Sequence, residues 1–328
     1  MYLSDIRFSL WADFIERTFL EGEFKELIAK GVINGATSNP TIFKNAILTS
    51  PAYQEQIAAL QGDAKSIYEA LAIADIQKAA DLLLPLYEAG DDGYVSIEVD
   101  PFFCDDAISM ILEARRLYEA IGRKNVMIKI PATEDGYEAM EVLIAHDIPI
   151  NATLVFSKEQ AIECAKAFED GLFGASGPVD TVISVFVSRI DRALDATLEA
   201  KGIPTALTGI YNAADAYNAV EALNVPGCRT LFASTGVKSD ALPPYYYVDA
   251  LLAPNSVNTA PIETIHAFVK DGDKTPKLPI DEKEIRTHFE KLEAAGIDFD
   301  AIAKTQTREG IEAFQTAFTQ ILEALEAK

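Results

Sequence analysis

The sequence predicts an α/β fold in which helices surround one closed barrel of eight parallel strands, the (β/α)8 or TIM barrel. Three observations predict it. Eight short apolar or β-branched runs recur along the 328 residues, helical stretches separate them, and no Gly-x-Gly-x-x-Gly motif follows any run. A doubly wound sheet usually has about five to seven strands and binds a dinucleotide at such a motif. We therefore expect residues 1–328 to form a single barrel domain.

The eight predicted strands are runs that are too short for helices and are rich in β-branched and aromatic residues. In chain order they cover residues 8–13, 33–39, 94–99, 125–132, 148–156, 181–188, 230–235 and 256–262. Residues 268–280 are the most loop-like part of the chain, but they are too few to separate two domains.

Helical segments lie between the runs, with apolar residues repeating at intervals of three and four. They cover residues 14–30, 64–89, 105–122, 134–146 and 157–171. Asp105 and Ser157 stand where helix N-caps are expected, and Gly90 and Gly171 stand where the helical pattern stops. A further helical pattern, rich in Glu and Ala, covers residues 281–328.

The chain is strongly acidic, with 28 Lys and Arg against 51 Asp and Glu, and a formal charge of −23. Such a surface repels nucleic acid and anionic membranes, so neither is an expected partner. An anionic substrate would need a local cluster of cations. The cysteines Cys104, Cys164 and Cys228 lack the spacing of a disulfide framework or a zinc ribbon, and no apolar stretch is long enough to span a membrane. We expect a cytoplasmic protein.

Polar residues interrupt the runs near their carboxyl ends, where barrels of this kind build their sites. These residues are Asp13, Asn39, Glu98, Lys129, Asn151, Thr153, Ser184, Arg189 and Ser234. Period-two alternation predicts their direction. In the fourth run Lys129 lies opposite an apolar face, and in the fifth run Ala152 and Leu154 oppose Asn151 and Thr153. Several strands thus direct polar groups toward one mouth.

Lys129 is an unusual residue for the inner face of an apolar strand. Burial disfavours the charged ammonium and can lower the pKa of a lysine, and a neutral amine attacks a ketone or aldehyde to form a Schiff base. The alternative is an ion pair with Glu98, or a lysine that reaches from the strand end to water. Because Glu98, Asn39 and Thr153 are expected around Lys129, we favour Schiff-base chemistry.

That chemistry also needs an acid or base, because protons move when water leaves and when the carbon–carbon bond breaks. Glu98 suits this role, either directly or through a water held by Thr153, because partial desolvation raises the pKa of a carboxyl. Asp13 is a candidate for binding substrate hydroxyls or for proton transfer. The alternative for Asp13 is an N-cap of a helix that begins at Phe14.

Five motifs together resemble the transaldolases, in the order of that family and over nearly the whole chain. They are Asn-Gly-Ala-Thr-Ser-Asn-Pro-Thr-Ile-Phe at 34–43, Ser-Ile-Glu-Val-Asp at 96–100, Met-Ile-Lys-Ile-Pro-Ala-Thr at 127–133, Asn-Ala-Thr-Leu-Val-Phe-Ser at 151–157 and Ser-Val-Phe-Val-Ser-Arg at 184–189. The resemblance implies a class I transaldolase, which acts through a lysine Schiff base in the non-oxidative pentose phosphate pathway. Such an enzyme moves a dihydroxyacetone unit from sedoheptulose 7-phosphate or fructose 6-phosphate to glyceraldehyde 3-phosphate or erythrose 4-phosphate.

The resemblance also assigns the catalytic residues. The Schiff-base lysine of the family falls on Lys129, and its acid/base carboxylate falls on Glu98, with Thr153 holding the water. Its second carboxylate falls on Asp13.

Substrate-binding residues follow from the same resemblance. Those that hold substrate hydroxyls fall on Asn39, Asn151 and Ser184, and Phe186 matches an aromatic residue that lines the site.

The phosphate-binding positions of the family fall on Arg189 and Ser234, which supplies the cation that an acidic chain needs for an anionic ligand. Many transaldolases have a second arginine two residues after that serine, but this chain has Gly236 there. We expect Lys238 to replace it. The alternative for Lys238 is an exposed loop lysine.

Residues 308–328 are similar to the transaldolase helix that lies over the barrel mouth and limits the access of water. An ordinary outer helix is the alternative. The related fructose 6-phosphate aldolases are shorter and carry glutamine at the position of Glu98, and both differences favour transfer.

Two other functions compete with this one. A barrel that only binds sugar phosphates would keep Arg189 and Ser234 but has no reason to bury Lys129. A metal hydrolase has little support, because the three histidines, His146, His266 and His288, lack HExxH spacing. The resemblance implies no metal or organic cofactor. The sequence does not fix the oligomeric state, and a homodimer is compatible with it.

Overall fold

Eight parallel strands close into a barrel in the computed structural model, which describes residues 1–327. They are β1 Ser9–Ala12, β2 Gly35–Thr37, β3 Tyr94–Glu98, β4 Val126–Pro131, β5 Ile150–Val155, β6 Thr181–Phe186, β7 Cys228–Ala233 and β8 Ser256–Ala260. Each strand pairs with the next in sequence, and β1 pairs with β8 to complete the ring. The predicted (β/α)8 barrel is confirmed, and each predicted run contains one of the strands or most of it.

Alternation along β4 follows from its sequence. Val126, Ile128 and Ile130 are fully buried in the main core, which the strands share with the outer helices. Met127 belongs instead to the cluster inside the barrel, together with Trp11. The next inward position after Met127 is Lys129, because side chains alternate between the two faces of a strand.

Fourteen α-helices occur within residues 1–327. They are α1 Arg17–Glu21, α2 Glu23–Ala29, α3 Pro40–Thr49, α4 Gln54–Ala59, α5 Ala64–Glu88, α6 Ala107–Ile121, α7 Glu134–Ile144, α8 Lys158–Leu172, α9 Ser188–Ala200, α10 Thr208–Leu223, α11 Tyr246–Ala250, α12 Ile262–Asp271, α13 Glu282–Ala294 and α14 Phe299–Glu326. The segment predicted as one helix over 14–30 is two helices, which meet at Gly22.

Two predicted helix ends are wrong. The N-cap of α6 is Asp106 and not Asp105, because Asp106 Oδ1 accepts the backbone N–H of Ser109 at 3.0 Å. Gly171 does not end α8, which continues to Leu172. Its small size serves packing, since a Cβ there would lie 2.6 Å from the Glu141 carbonyl oxygen of α7. Ser157 is the N-cap of α8 as predicted, and its Oγ accepts the Gln160 N–H.

The predicted alternation fails in the second half of β5. The register with β6 shifts between Ala152 and Val155, and Leu154 adopts a left-handed backbone with φ 59°. This irregularity turns the Leu154 side chain away from the outer helices, into the cluster that contains Phe156 and Phe186. The prediction that Leu154 opposes Thr153 is therefore wrong.

The C-terminal helical pattern forms α13 and α14, and α14 lies over the barrel mouth as expected. Gln315 Nε2 donates to the carbonyl oxygen of Pro101, just after β3, at 3.2 Å. Farther toward the N-terminus of α14, a Cβ on Gly310 would lie 2.7 Å from Leu154 Cδ2 and 3.4 Å from Arg189 Nη1. The helix thus begins nine residues before the predicted 308 and contacts the segment after β3, strand β5 and the start of α9.

The opposite end of the barrel is closed by a buried polar cluster. Asp92, just before β3, accepts hydrogen bonds from Trp11 Nε1 at 3.0 Å and from Arg229 Nη2 at 2.7 Å. Gly35 of β2 leaves room for the indole, because a Cβ there would lie 2.6 Å from Trp11 Cε2. These contacts join β1, the start of β2, the segment before β3 and the start of β7.

Among the described residues, none of the helices combines the length and the apolar character that a membrane span requires.

Candidate active site

Lys129 projects from the carboxyl half of β4 and is only 5% exposed. Its Nζ donates to the carbonyl oxygen of Ser38 at 3.1 Å and lies 3.7 Å from Glu98 Oε2. The two side chains meet because Glu98 of β3 is in register with Lys129. Lys129 and Glu98 therefore do form the contact that the ion-pair alternative describes. The Lys129 amine nevertheless lies at the mouth of the barrel.

Burial dominates the electrostatics of Glu98 and raises its pKa from 4.5 to about 7, although Lys129 and Arg189 act to lower it. Its Oε2 is buried and has no hydrogen-bond partner among residues 1–327, and the same is true of Thr153 Oγ1. An unpaired buried polar atom is costly, and these two oxygens belong to residues near the Lys129 amine, since Glu98 contacts Lys129 and Thr153 lines the same cavity. A carboxyl with this pKa can both give and accept a proton near neutral pH.

Asp13 follows β1, and its backbone N–H donates to Ala260 at the end of β8. Its Oδ1 accepts a hydrogen bond from Thr37 Oγ1 at 2.8 Å, and the hydroxyls of Thr37 and Thr259 lie 2.6 Å apart. Burial raises the pKa of Asp13, against the opposing effects of Lys129, the Thr37 hydrogen bond and Arg189. The helix-cap alternative is wrong, because α1 begins at Arg17 with Glu16 as its N-cap.

A cavity of about 310 Å³ opens at the carboxyl ends of the strands. Nine of the eleven predicted site residues line it: Asp13, Asn39, Lys129, Thr153, Ser184, Phe186, Arg189, Ser234 and Lys238. Glu98 and Asn151 do not line the cavity, but each contacts a residue that does, Lys129 and Ser184 respectively. A larger groove of about 940 Å³ lies on the outside, between α10 and α13, and contains none of the predicted residues.

Asn151 is fully buried, and both ends of its amide are used. Its Nδ2 donates to Ser96 Oγ at 3.0 Å, and its Oδ1 accepts from Ser184 Oγ at 2.6 Å. Asn39 is the N-cap of α3, where its Oδ1 accepts the Ile42 N–H at 3.0 Å. That bond leaves the amide nitrogen of Asn39 available to the cavity.

Positive charge collects on one side of the cavity. Arg189 lies at the second position of α9 rather than in the sixth strand, with its guanidinium 5.2 Å from the centre of the Phe186 ring. Burial and the nearby Arg192 both lower the pKa of Arg189. Within residues 1–327, none of Arg189, Arg192 and Lys238 forms a salt bridge, in contrast to Arg116 or Arg123 on the outer surface.

Hydroxyl groups stand next to these cations. Ser234 has a left-handed backbone with φ 56°, and its Oγ lies 3.1 Å from Ser188 Oγ. The backbone N–H of Ser188, the first residue of α9, donates to the carbonyl oxygen of Ser234. Hydroxyls, guanidinium groups and a helix N-terminus are the usual components of a phosphate site.

Sequence reasoning missed Arg192, Thr37 and Thr259, all of which line the cavity. Arg192 had a usable signal, since it follows Arg189 by three residues in a helical segment and must share its face. The two threonines also had a signal, since Thr37 precedes Asn39 by two residues and shares its face of the second run, and Thr259 lies in the eighth run, which neighbours the first in a closed barrel.

The described chain has no group of three or more His, Cys, Asp or Glu side chains placed to hold a metal ion. His266 lies in α12, His288 in α13, and His146 just after α7. His288 Nε2 lies 2.9 Å from Thr208 Oγ1, a contact of the outer helices.

Comparison with known proteins gives one consistent result. The family model described as Transaldolase/Fructose-6-phosphate aldolase matches residues 10–325. A protein of Campylobacter jejuni subsp. jejuni named "Transaldolase" is 47% identical over 330 residues, covering 97% of this chain and 99% of the relative. One of Helicobacter pylori with the same name is 45% identical over 319 residues, with the same coverage of both chains.

Proposed function

This chain belongs to the transaldolase/fructose-6-phosphate aldolase family and is a transaldolase, and we propose that it transfers a dihydroxyacetone unit between sugar phosphates through an imine on Lys129. The observation that carries this proposal is the buried amine of Lys129 at the cavity, 3.7 Å from a carboxyl whose pKa is about 7. The donors are sedoheptulose 7-phosphate and fructose 6-phosphate, and the acceptors are glyceraldehyde 3-phosphate and erythrose 4-phosphate.

In the first half of the reaction, the Lys129 amine gives up its proton to Glu98 and attacks the C2 carbonyl of the ketose. The resulting carbinolamine loses its hydroxyl as water, with Glu98 returning the proton. Thr153 and Glu98 each hold an unpaired buried oxygen, so a water bound between them would carry this proton.

The carbon–carbon bond then breaks. Asp13 accepts the proton of the C4 hydroxyl, the C3–C4 electron pair moves toward the imine, and the aldose phosphate leaves while an enamine remains on Lys129. The second aldose enters with its aldehyde at the same place. The enamine carbon attacks that aldehyde, Asp13 returns the proton to the new hydroxyl, and hydrolysis of the imine releases the new ketose.

We propose that Asn39 and Ser184 bind substrate hydroxyls, and that Phe186 forms the apolar wall beneath the Arg189 guanidinium. Both polar atoms of the Asn151 amide already hydrogen-bond to protein groups, Ser96 and Ser184, and we assign Asn151 the positioning of Ser184. This assignment differs from the direct contact that the family resemblance implies.

The substrate phosphate would lie among Arg189, Arg192, Ser234 and Lys238. Arg192 of α9 provides a second guanidinium beside Arg189. Gly236, after β7, stands where the family resemblance implies a second arginine in many transaldolases. The two guanidinium groups repel each other without a ligand, and a dianion between them would remove that repulsion.

Transfer and simple aldol cleavage are separated by one assay. The protein is mixed with fructose 6-phosphate, and release of glyceraldehyde 3-phosphate is followed with and without erythrose 4-phosphate. We expect release to depend on the acceptor, with little free dihydroxyacetone. Acceptor-independent release with stoichiometric dihydroxyacetone would identify an aldolase instead.

We also propose the cytoplasm as its compartment. Cys104, Cys164 and Cys228 are buried free thiols, which suits a reducing environment.

A further inference from the structure

Two buried threonines stand on the strands to either side of β1. Thr37 ends β2 and Thr259 lies in β8, and they are only 2% and 3% exposed. Gly35, two residues before Thr37, faces the Trp11 indole inside the barrel. Val257, two residues before Thr259, belongs to the same inner cluster. Both threonine side chains therefore point inward at the mouth, because side chains alternate along a strand.

The hydroxyls of these two residues form a chain that ends on Asp13. Thr37 Oγ1 donates to Asp13 Oδ1 at 2.8 Å, and the Oγ1 atoms of Thr37 and Thr259 lie 2.6 Å apart. A hydroxyl has one proton to donate, and Thr37 uses its proton on the carboxylate. Thr259 is therefore the donor at the second contact, and this hydroxyl chain runs from Thr259 through Thr37 to Asp13.

The backbone of Thr259 is itself held in place. Thr235 Oγ1 donates to the Thr259 carbonyl oxygen at 3.0 Å and to Asn258 Oδ1 at 2.8 Å. Strand β8 also pairs with β1, and the Asp13 N–H donates to the carbonyl oxygen of Ala260. The donor at the start of the hydroxyl chain is thus fixed relative to the carboxylate at its end.

The hydroxyl chain binds one oxygen of the Asp13 carboxylate. Within residues 1–327, Oδ1 accepts from Thr37, whereas no other group donates to Oδ2, which leaves Oδ2 for a substrate hydroxyl. Hydrogen bonds in a chain polarise one another, so donation by Thr259 strengthens the bond from Thr37 to Asp13. That bond favours the ionised carboxylate, as do the nearby Lys129 and Arg189, and the ionised form is the one that accepts a proton.

We propose that Thr259 is a positioning residue that acts on Asp13 through Thr37 when the carbon–carbon bond breaks. The inference rests on the proposed function, in which Asp13 takes the proton of the C4 hydroxyl. Thr259 has no part in forming the imine, since that step uses Lys129 and Glu98. Loss of the Thr259 hydroxyl therefore slows cleavage and leaves imine formation unchanged.

Two rates measured in a single turnover separate these steps. Excess enzyme is mixed with fructose 6-phosphate and quenched at successive times. Quenching with borohydride followed by mass spectrometry gives the rate of adduct formation on Lys129, and quenching with acid gives the rate of glyceraldehyde 3-phosphate release. We expect Thr259→Val to slow release roughly 3- to 10-fold and Thr37→Val roughly 10- to 100-fold, because the second bond has a charged acceptor. Adduct formation should keep its wild-type rate in both variants.

Conservative and matched variants separate the hydroxyl from the packing of the side chain. Thr259→Ser keeps the donor and should retain most of the wild-type release rate. Thr230→Val removes a buried hydroxyl of β7 that has no hydrogen-bond partner within residues 1–327, and it should change neither rate. The double variant Thr37→Val/Thr259→Val should be no slower than Thr37→Val alone, because Thr259 acts only through Thr37.

The outcomes distinguish this inference from the proposed function. A Lys129 adduct together with wild-type release in Thr259→Val would overturn this inference alone. So would a Thr259→Ser variant as slow as Thr259→Val, an equal slowing of adduct formation and release, or losses that multiply in the double variant. A wild-type protein that forms no adduct would overturn the proposed function, and this inference with it.

Discussion

At the residue scale, the chemistry depends on competing effects at Glu98. Burial disfavours its ionised form, while the nearby Lys129 and Arg189 favour that form. Burial is the largest of these effects, so the pKa stays near 7 in spite of two cations. The same balance holds at Asp13, where a hydrogen bond from Thr37 also favours the carboxylate.

The raised pKa of Glu98 predicts a pH-dependent stability difference between wild type and Glu98→Gln. Between pH 4.5 and about 7 the folded protein keeps a proton that the unfolded chain has lost. The wild type is therefore most stable relative to the variant below pH 4.5, and it loses on the order of 3 kcal/mol of that advantage as the pH rises through 7. Urea unfolding of both proteins at several pH values measures this difference. Parallel pH profiles would contradict the assignment.

Arg192 provides a second residue-scale prediction. Arg192→Ala should raise the KM for fructose 6-phosphate and lower kcat/KM roughly 10- to 100-fold, because a charge-assisted contact to phosphate is lost. Activity on unphosphorylated fructose should change little. Arg308→Ala is the matched control, since Arg308 is an exposed arginine of α14 whose nearest carboxylate is Glu312. An unchanged KM in Arg192→Ala would remove Arg192 from the phosphate site.

Most residues of the site could be predicted because they end strands, and strand ends of a parallel barrel must converge. What could not be predicted is local backbone irregularity. Leu154 moves to the mouth because β5 shifts register there, and a residue with φ 59° that is not Gly, Asn or Asp has no clear sequence signal. Arg192 was missed because no helix was assigned after the sixth predicted strand, so the position of Arg192 one helical turn after Arg189 was not used.

At the element scale, α14 completes the site by contacting β5, the starts of α8 and α9, and the segment after β3. Gly310 allows its close approach to Leu154 and to Arg189. Gln160 Nε2, at the start of α8, donates to Thr307 Oγ1 at 3.2 Å and joins the helix to the loop after β5. Phe314 of α14 lines the cavity directly, so the helix restricts the access of water to the imine.

A larger side chain at position 310 tests this arrangement. Gly310→Leu should push α14 away from Leu154 and displace Arg189, and we expect kcat/KM for fructose 6-phosphate to fall at least about tenfold. Gly177→Leu is a suitable control, since nothing lies within 4 Å of its Cβ position and its backbone is not in the positive-φ region. Full activity in Gly310→Leu would indicate that α14 does not shape the site.

Helix boundaries were predictable only to within a few residues. Asp105 and Asp106 are adjacent acceptors, and the choice between them depends on which side chain reaches the Ser109 N–H. Gly171 stands where a helix end is expected from the sequence, but α8 continues past it. A glycine occurs at this position because α8 packs closely against α7. The eight-strand order itself was predictable, because sequential βα units leave few alternatives.

At the scale of the whole molecule, the two ends of the barrel differ in function. The mouth holds the cavity and its cations, whereas the opposite end holds the buried ion pair of Asp92 and Arg229. This division is typical of the fold. One closed barrel with its helices around it supports the single-domain interpretation, which remains a prediction.

Removing the buried charge at the closed end should affect stability and not catalysis. Asp92→Ala leaves Arg229 buried without its partner, which should cost roughly 3–5 kcal/mol of unfolding free energy. Asp81→Ala removes an exposed partner of Arg123 and should have no measurable effect. Urea unfolding measures the stability of each variant, and activity assays at low temperature measure the catalytic rate of the folded protein. A large loss of kcat in folded Asp92→Ala would contradict this division.

The covalent imine is the central claim, and borohydride trapping tests it most directly. The full chain is incubated with fructose 6-phosphate and sodium borohydride, digested, and mapped by mass spectrometry, with Lys129→Met and a sample without sugar as controls. We predict a reduced sugar adduct on Lys129 that is absent from both controls. An adduct on a different lysine, or no adduct in the folded wild-type protein, would contradict the mechanism.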